Sequence, residues 1–205
     1  CVNVYPQPNI DETLVGHWKL DDGIGDIATD SSGNENHGKL EENTPVWTSE
    51  GIIDGALDFD GVGDYVEVLS DPSLNITDEI TLMAWVYPES WDSTYENGIL
   101  TKAGDENYGV WNLHYKWEEI QHSGFRFEAN IDGNTENIFE ITPSEDLNRW
   151  YHVAGVYDGT EMKLFIDGEL VNSKPVTGLI STNDQPLRFG KQFWWGSDYS
   201  MWDGM

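Results

Sequence analysis

Short apolar runs broken by polar turn formers set the grain of this chain. Gly, Asp, Asn and Ser recur roughly every 8–12 residues and helical periodicity is scarce, the spacing of an all-β sandwich or barrel. From Ile80 to Tyr87 nearly every position is apolar. Ile80, Leu82, Ala84 and Val86 fall on one face and Met83, Trp85 and Tyr87 on the other, so the pattern predicts a strand covered on both sides. Arg149 to Tyr157 reads the same way. Asp158-Gly159 and Asp167-Gly168 then flank Met162 to Ile166. Asp-Gly between alternating runs is a strong hairpin signal, because positive φ suits both residues. Residues 149–173 are therefore expected to form a three-stranded meander. Ala56 to Phe59 and Asp64 to Val68 flank Asp60-Gly61-Val62-Gly63, which predicts another hairpin, and a short helical turn is expected after Ser144-Glu145-Asp146-Leu147. There is no internal repeat. Residues 1–13 read as a tail and 14–205 as one domain.

Composition adds chemistry to this outline. The 205 residues include 38 Asp+Glu against 10 Lys+Arg, a formal net charge of −28 at pH 7. That balance excludes most nucleic-acid partners, which need a basic footprint, and disfavours anionic lipid. With 38% hydrophobic residues and ten Trp, the chain is too apolar for a solvated acidic tail. Such an exterior is normally tolerated in high salt or with bound cations. No run of about 18 apolar residues is present, so no transmembrane helix is expected. The single cysteine, Cys1, cannot form an intrachain disulfide. Cys1 followed by a polar, Pro-bearing stretch resembles a mature bacterial lipoprotein; a chance residue at the start of a trimmed sequence is the alternative. Either way the composition suggests export.

Several motifs in the right order resemble LamG-like jelly-roll domains, concanavalin A-like sandwiches related to laminin G and pentraxin domains. Leu14 to Gly23, with Gly16-His17-Trp18-Lys19-Leu20-Asp21, resembles the family's opening strand, and Asp30-Ser31-Ser32-Gly33-Asn34-Glu35-Asn36-His37-Gly38 its first loop. Gly55 to Gly61 with Asp64-Tyr65-Val66 resembles the next hairpin, and Trp150 to Val171 the late meander. The resemblance spans about 14–205 and implies an all-β, two-sheet antiparallel jelly-roll sandwich, as the periodicity suggests independently. In the family, the segment resembling Trp202-Asp203-Gly204 leads into a final strand beside the first. Here the sequence stops at Met205. Either the natural chain continues or a partner supplies that strand; without it the Trp18 strand is an exposed edge that invites self-association.

Related sandwiches include glycoside hydrolases, whose strand carries Glu-x-Asp-x-Glu so that two carboxylates flank the glycosidic bond. No Glu here has Asp at the second following position, and no G-x-S-x-G occurs. His17, His37, His114, His122 and His152 lack zinc spacing. Gly23 to Ala28 fits G-x-G-x-x-A, but turn formers follow where a helix is required, and Asn130 to Asn134 fails the calcium-hand spacing. The chain is therefore expected to be non-catalytic.

Calcium is attractive by another route, since it takes roughly six to eight oxygens from carboxylates, amides and turn carbonyls. The 21–38 stretch offers Asp21, Asp22, Asp30, Asn34 and Asn36. The family resemblance implies Asp21, Asn34 and Asn36 as ligands, with the last-strand Asp missing. The pentraxin resemblance implies a second set, Asp105 and Asn107 of Gly104-Asp105-Glu106-Asn107, with Gln192 and Asp198 from a later loop.

Aromatic side chains supply a third reading, because Trp and Tyr stack on the apolar faces of sugar rings. Trp18, Trp85 and Trp150 lie in strands and are expected in the core. Trp91, Tyr95, Trp117, Trp194, Trp195, Tyr199 and Trp202 sit in Gly-, Ser- and Asp-rich stretches read as loops. Trp194-Trp195-Gly196-Ser197-Asp198-Tyr199 is the most suggestive cluster, since adjacent Trp residues cannot both point inward from a strand. Trp91, Tyr95, Trp194, Trp195 and Tyr199 are the candidate ligand contacts. The function expected is a non-catalytic, extracellular or cell-surface module, stabilised by calcium, that binds a polysaccharide or mediates adhesion. The alternative is a structural or assembly subunit that meets another surface protein through sheet edges and aromatic patches.

Overall fold

The structure, a computed structural model, describes residues 13–41, 44–90, 96–104, 107–116, 123–141, 147–193 and 199–205. In chain order the strands are β1 (Ile27–Ala28), β2 (Gly38–Glu41), β3 (Val46–Thr48), β4 (Ala56–Asp60), β5 (Tyr65–Val68) and β6 (Ile80–Val86). They continue with β7 (Glu96–Gly104), β8 (Asn107–Lys116), β9 (Gly124–Ile131), β10 (Asn134–Ile141), β11 (Tyr151–Tyr157) and β12 (Glu161–Ile166). The last are β13 (Glu169–Pro175), β14 (Leu187–Phe189), β15 (Lys191–Phe193), β16 (Tyr199–Met201) and β17 (Asp203–Gly204). A short 3₁₀ turn, Pro72–Leu74, follows the cap Asp71, whose carboxylate accepts from the Ser73 amide at 2.8 Å.

One sheet has eight strands in the order β1-β2-β5-β14-β7-β8-β9-β10. The second begins as β13-β12-β11-β6 and is extended past β6. Tyr87 and Met205 exchange backbone hydrogen bonds at 2.6 and 3.0 Å, and the Glu89 amide donates to Asp203 at 3.0 Å. This carries the ladder onto β17, then β4 and β3. All the ladders are antiparallel. The core is the layer between the two sheets. Phe125, Phe127, Ala129 and Ile131 of β9 and Tyr151, Val153 and Tyr157 of β11 all lie within it. Phe125 meets Tyr151 with ring centroids 5.2 Å apart. At Gly155 an added Cβ would stand 2.4 Å from the Phe127 ring, so glycine is what lets the sheets close there.

The meander is as expected, β11-β12-β13. Asp167 (φ 51) and Gly168 (φ 81) make the two-residue turn with both residues in the left-handed region. Asp158 keeps an ordinary φ instead, and its carboxylate closes the other turn by accepting from the Thr160 and Glu161 amides. A further hairpin joins β9 to β10 through Asp132 (φ 49) and Gly133 (φ 81). The same Asp-Gly signal was present there and went unread.

Several expectations need correction. Residues 56–68 are not a hairpin: β4 pairs with β3 and β17, β5 with β2 and β14, so the turn between them is a corner from one sheet to the other. Strand β6 is covered on one face only. Ile80, Leu82 and Val86 are buried, whereas Met83 and Trp85 are 57% and 45% exposed, so Trp85 is not in the core. Conversely Trp202, read as a loop residue, is core. Trp18 and Trp150 are half-buried, Trp18 edge-on to Phe189 at 4.9 Å and Trp150 against Tyr87 at 5.5 Å. The run around Trp18 forms no ladder, only a bridge to Asp30, because its backbone groups are taken by the 30–36 loop. Of the helical turn expected at Ser144-Glu145-Asp146-Leu147, residues 144–146 lie outside the described residues, and 147–150 form no helical turn.

Candidate functional site

Alternation along β8 and β9 turns Trp111, Leu113, Phe125 and Phe127 into the core, and Asn112, His114, Arg126 and Glu128 onto the opposite face of the eight-stranded sheet. The register aligns these polar positions across strands. Lys39 pairs with Glu67, Glu67 with Arg188, Arg188 with Thr101, Thr101 with Asn112, Asn112 with Glu128, and Glu128 with Asn137. Seven strands thus contribute one continuous polar row. Beside it runs a second row, Gly98, His114, Arg126 and Phe139.

The interior of the row is well organised. Arg188 donates from Nε to Glu67 at 2.9 Å and from Nη1 to the Ala103 carbonyl at 3.1 Å. Asn112 Nδ2 donates to Glu128 at 3.3 Å, with the Arg126 guanidinium 4.0 Å from the same carboxylate. Strand β15 lies over this face. Thr101 Oγ1 donates to the Lys191 carbonyl at 2.6 Å, and an added Cβ on Gly98 would stand 2.5 Å from the Lys191 backbone. Lys191 places its ammonium 3.8 Å from the centre of the Tyr65 ring. Asn112 is only 1% exposed, and among the described residues neither its Oδ1 nor Oε1 of buried Gln192 on β15 has a hydrogen-bond partner. The row's carboxylates, Glu67 and Glu128, are four strand spacings apart, about 19 Å. Two carboxyls flanking a glycosidic bond stand roughly 5–9.5 Å apart. The row is thus built for hydrogen bonding and not for acid–base cleavage by this pair.

A second acidic feature sits at the β4–β5 corner. Asp64 is 2% exposed and accepts the Asp60 amide on both oxygens, at 3.0 and 3.1 Å. Burial, then its hydrogen bond to Asp60, pushes its carboxyl up to about 7. The amides of Val62 and Gly63, at 2.8 and 3.2 Å, and the Asp64 hydrogen hold Asp60 below the usual range. Burial and then the charge of Asp203 on β17 raise Asp58.

The 21–38 loop is knitted by a different carboxylate from those expected to bind calcium. Asp30 accepts from the amides of His17 at 2.8 Å, Ser32 at 2.9 Å and Asn36 at 3.0 Å, and from Ser32 Oγ at 2.8 Å. Burial raises its carboxyl, but these hydrogen bonds outweigh burial and leave it lowered. The Asn34 and Asn36 side chains turn their nitrogens to the Val15 carbonyl, both at 3.1 Å. Exposed Asp21 stands 4.0 Å from Lys19. As hydrogen-bonded, the Asn34 and Asn36 nitrogens are engaged by Val15, and the Asp30 carboxylate ties the loop to the 15–17 segment. Among the described residues, no three His, Cys, Asp or Glu side chains group closely enough to hold a metal ion.

Trp91, Tyr95, Asp105, Trp194, Trp195 and Asp198 lie outside the described residues, as does Cys1. So do the side chains of Asn107, which opens β8, and Tyr199, which opens β16. Connectivity relates several of them to the polar row. Residues 194–198 join β15 to β16, and 105–106 join β7 to β8. The row itself was missed in the sequence, although Asn112-x-His114-x-Lys116 and Arg126-x-Glu128-x-Asn130 carry the alternating polar signal.

Two antiparallel sheets around one core, with a largely buried polar row on the far face of one of them, define a lectin-like β-sandwich. The sequence profile of the concanavalin A-like lectin/glucanases superfamily matches residues 60–205, and the chain belongs to that superfamily. No curated protein sequence matches this one at a significant level. Among solved structures it is similar to domain 4 of AbnA, an extracellular arabinanase of Geobacillus stearothermophilus determined with arabinotriose. That match has 18% identity, covers 93% of this chain and 89% of that one, and has a TM-score of 0.66. A SAP-like pentraxin from Limulus polyphemus matches with 15% identity over 72% of this chain and 70% of that one, TM-score 0.52. Domains LG4-5 of the mouse laminin α1 chain match with 13% identity over 72% and 38%, TM-score 0.53. At these identities the likeness is one of fold.

Proposed function

We propose that the protein is a non-catalytic, extracellular carbohydrate-binding module whose glycan lies on the polar face of the eight-stranded sheet. The observation that carries this reading is the row of alternating donors and acceptors in which buried Asn112 holds Glu128 beside Arg126, their side chains 12% and 15% exposed. Sugar hydroxyls are both donor and acceptor, so one can give its hydrogen to the Glu128 carboxylate and take one from the Arg126 guanidinium. Trp194, Trp195 and Tyr199, on or next to the segment joining the strands over this face, would stack on the ring, with Trp91 and Tyr95 as further contacts. The superfamily, and relatives that include an arabinanase domain determined with arabinotriose, support a glycan as ligand. The separation of Glu67 from Glu128 supports binding without cleavage.

A glycan array with the full chain tests the proposal. Asn112→Ala should lower affinity for the captured glycan at least tenfold while the melting temperature stays within a few degrees. Unchanged affinity in both Asn112→Ala and Glu128→Gln overturns the placement, and silence across the array overturns the function. Calcium is a separate element of the proposal and rests on hard oxygen donors in sequence, Asp21, Asn34 and Asn36 in the first loop and Asp105, Asn107 and Asp198 in the later ones. A melting temperature unmoved by a chelator defeats it, because an ion that binds the folded chain alone must raise stability.

A further inference from the structure

The exposed face of β6 belongs to a larger apolar feature. Register places Met83 beside Ala154, Ala154 beside Phe165, and Phe165 beside Leu170. One row therefore crosses all four strands of β6-β11-β12-β13, on the face opposite the core. Met83 is 57% and Leu170 54% exposed. Leu170 faces outward because β13 bulges between Leu170 and Asn172, which lets Val171 turn in against the core. In the adjoining row Trp85 pairs with His152, whose ring stands 5.0 Å from the indole and buttresses it. Between Met83 and Leu170, Phe165 is half-buried and the small Ala154 is 6% exposed; a chain this acidic gains nothing in solubility from apolar side chains left at the surface, and such surface marks a contact site.

We propose that this stripe is a second binding surface, for an uncharged polysaccharide chain lying across the strands. Size argues against a protein partner. The row and the adjoining Trp85 offer about five side chains over three strand spacings, about 14 Å, whereas a stable protein interface takes roughly 800 Å² and 20–30 residues from each side. Charge argues the same way. A second copy would bring another −28 against this one. The charged groups nearby are paired within the chain: Lys163 with Asp158 at 2.5 Å and Glu161 at 3.3 Å, Arg149 with Asp167 at 3.1 Å. The row itself, Met83, Ala154, Phe165 and Leu170, carries no charged side chain, and one indole stands beside it. Such a surface complements the apolar faces of successive pyranose rings and offers a charged ligand nothing.

Retention of the full chain on microcrystalline cellulose and on chitin tests the proposal. Retention on at least one is expected, with Trp85→Ala and, separately, Leu170→Ser each lowering the bound fraction tenfold or more. Asn112→Ala should leave it unchanged, which separates this surface from the polar face. No retention on either polymer, or retention indifferent to both stripe variants, overturns it. So does a concentration-dependent dimer in sedimentation that Trp85→Ala abolishes, which would assign the stripe to a second copy.

Discussion

Replacing Asp64 by Asn should make the protein more stable at alkaline pH and leave it nearly unchanged at pH 4. Asp64 is 2% exposed beside Asp60, and its carboxyl is pushed up to about 7 from an ordinary 3.8. Below 3.8 both the folded and unfolded chains hold this proton, so the group costs nothing. Between 3.8 and 7 the unfolded chain releases it and the folded chain keeps it, so stability falls as pH rises. Above 7 the penalty is constant. A shift of about 3 units, at about 1.4 kcal/mol each, sets a ceiling on the order of 4 kcal/mol. Asn stays neutral at every pH, keeps an oxygen for the Asp60 amide and can donate to the Asp60 carboxylate as protonated Asp64 does. Urea unfolding of both proteins from pH 4 to 8 measures the difference. The variant's advantage should open between pH 4 and 7 and then level off. A difference that does not vary with pH, or a variant weaker at pH 8 than at pH 4, refutes the reasoning.

Other consequences are as direct. Asp30→Ala leaves three amides of the 17–36 loop without their acceptor and should cost about 3 kcal/mol in chemical unfolding at pH 7. Because the carboxyl is lowered in the folded chain, that loss should shrink as pH falls below about 4. Gly98→Ala drives a methyl into the β15 backbone and should weaken glycan binding more than it lowers the melting temperature; equal binding would mean that β15 does not shape the site. Gly155→Ala presses on the Phe127 ring between the sheets and should destabilise by about 1–3 kcal/mol without a selective effect on binding. Trp194→Ala with Trp195→Ala should abolish glycan capture at unchanged thermal stability; a large stability loss would return those rings to the core.

Much of the fold was legible because it is coded within a few residues. Asp167-Gly168 makes its turn through the left-handed conformation that this dipeptide tolerates, and Asp132-Gly133 repeats the device. The alternation in β8 and β9 likewise states which residues share a face. The corner at Asp60-Gly61-Val62-Gly63 looked the same and was not a hairpin, because turn chemistry reverses a chain without choosing its neighbour. At β6 the apolar letters of Met83 and Trp85 said core, but the second sheet has nothing packed on that side among the described residues.

The sequence by itself determined an acidic, all-β chain of the concanavalin A-like kind, where its turns fall, and which side chains alternate along each strand. Those features follow from φ preferences and a two-residue period, and both are local. Only the tertiary structure decided that Glu67, Thr101, Asn112, Glu128 and Arg188 form one row, and that Met83 and Leu170 end another. Strand partners far apart in sequence are selected by burying both inner faces at once, and a shift of one residue would send every side chain to the other side of its sheet.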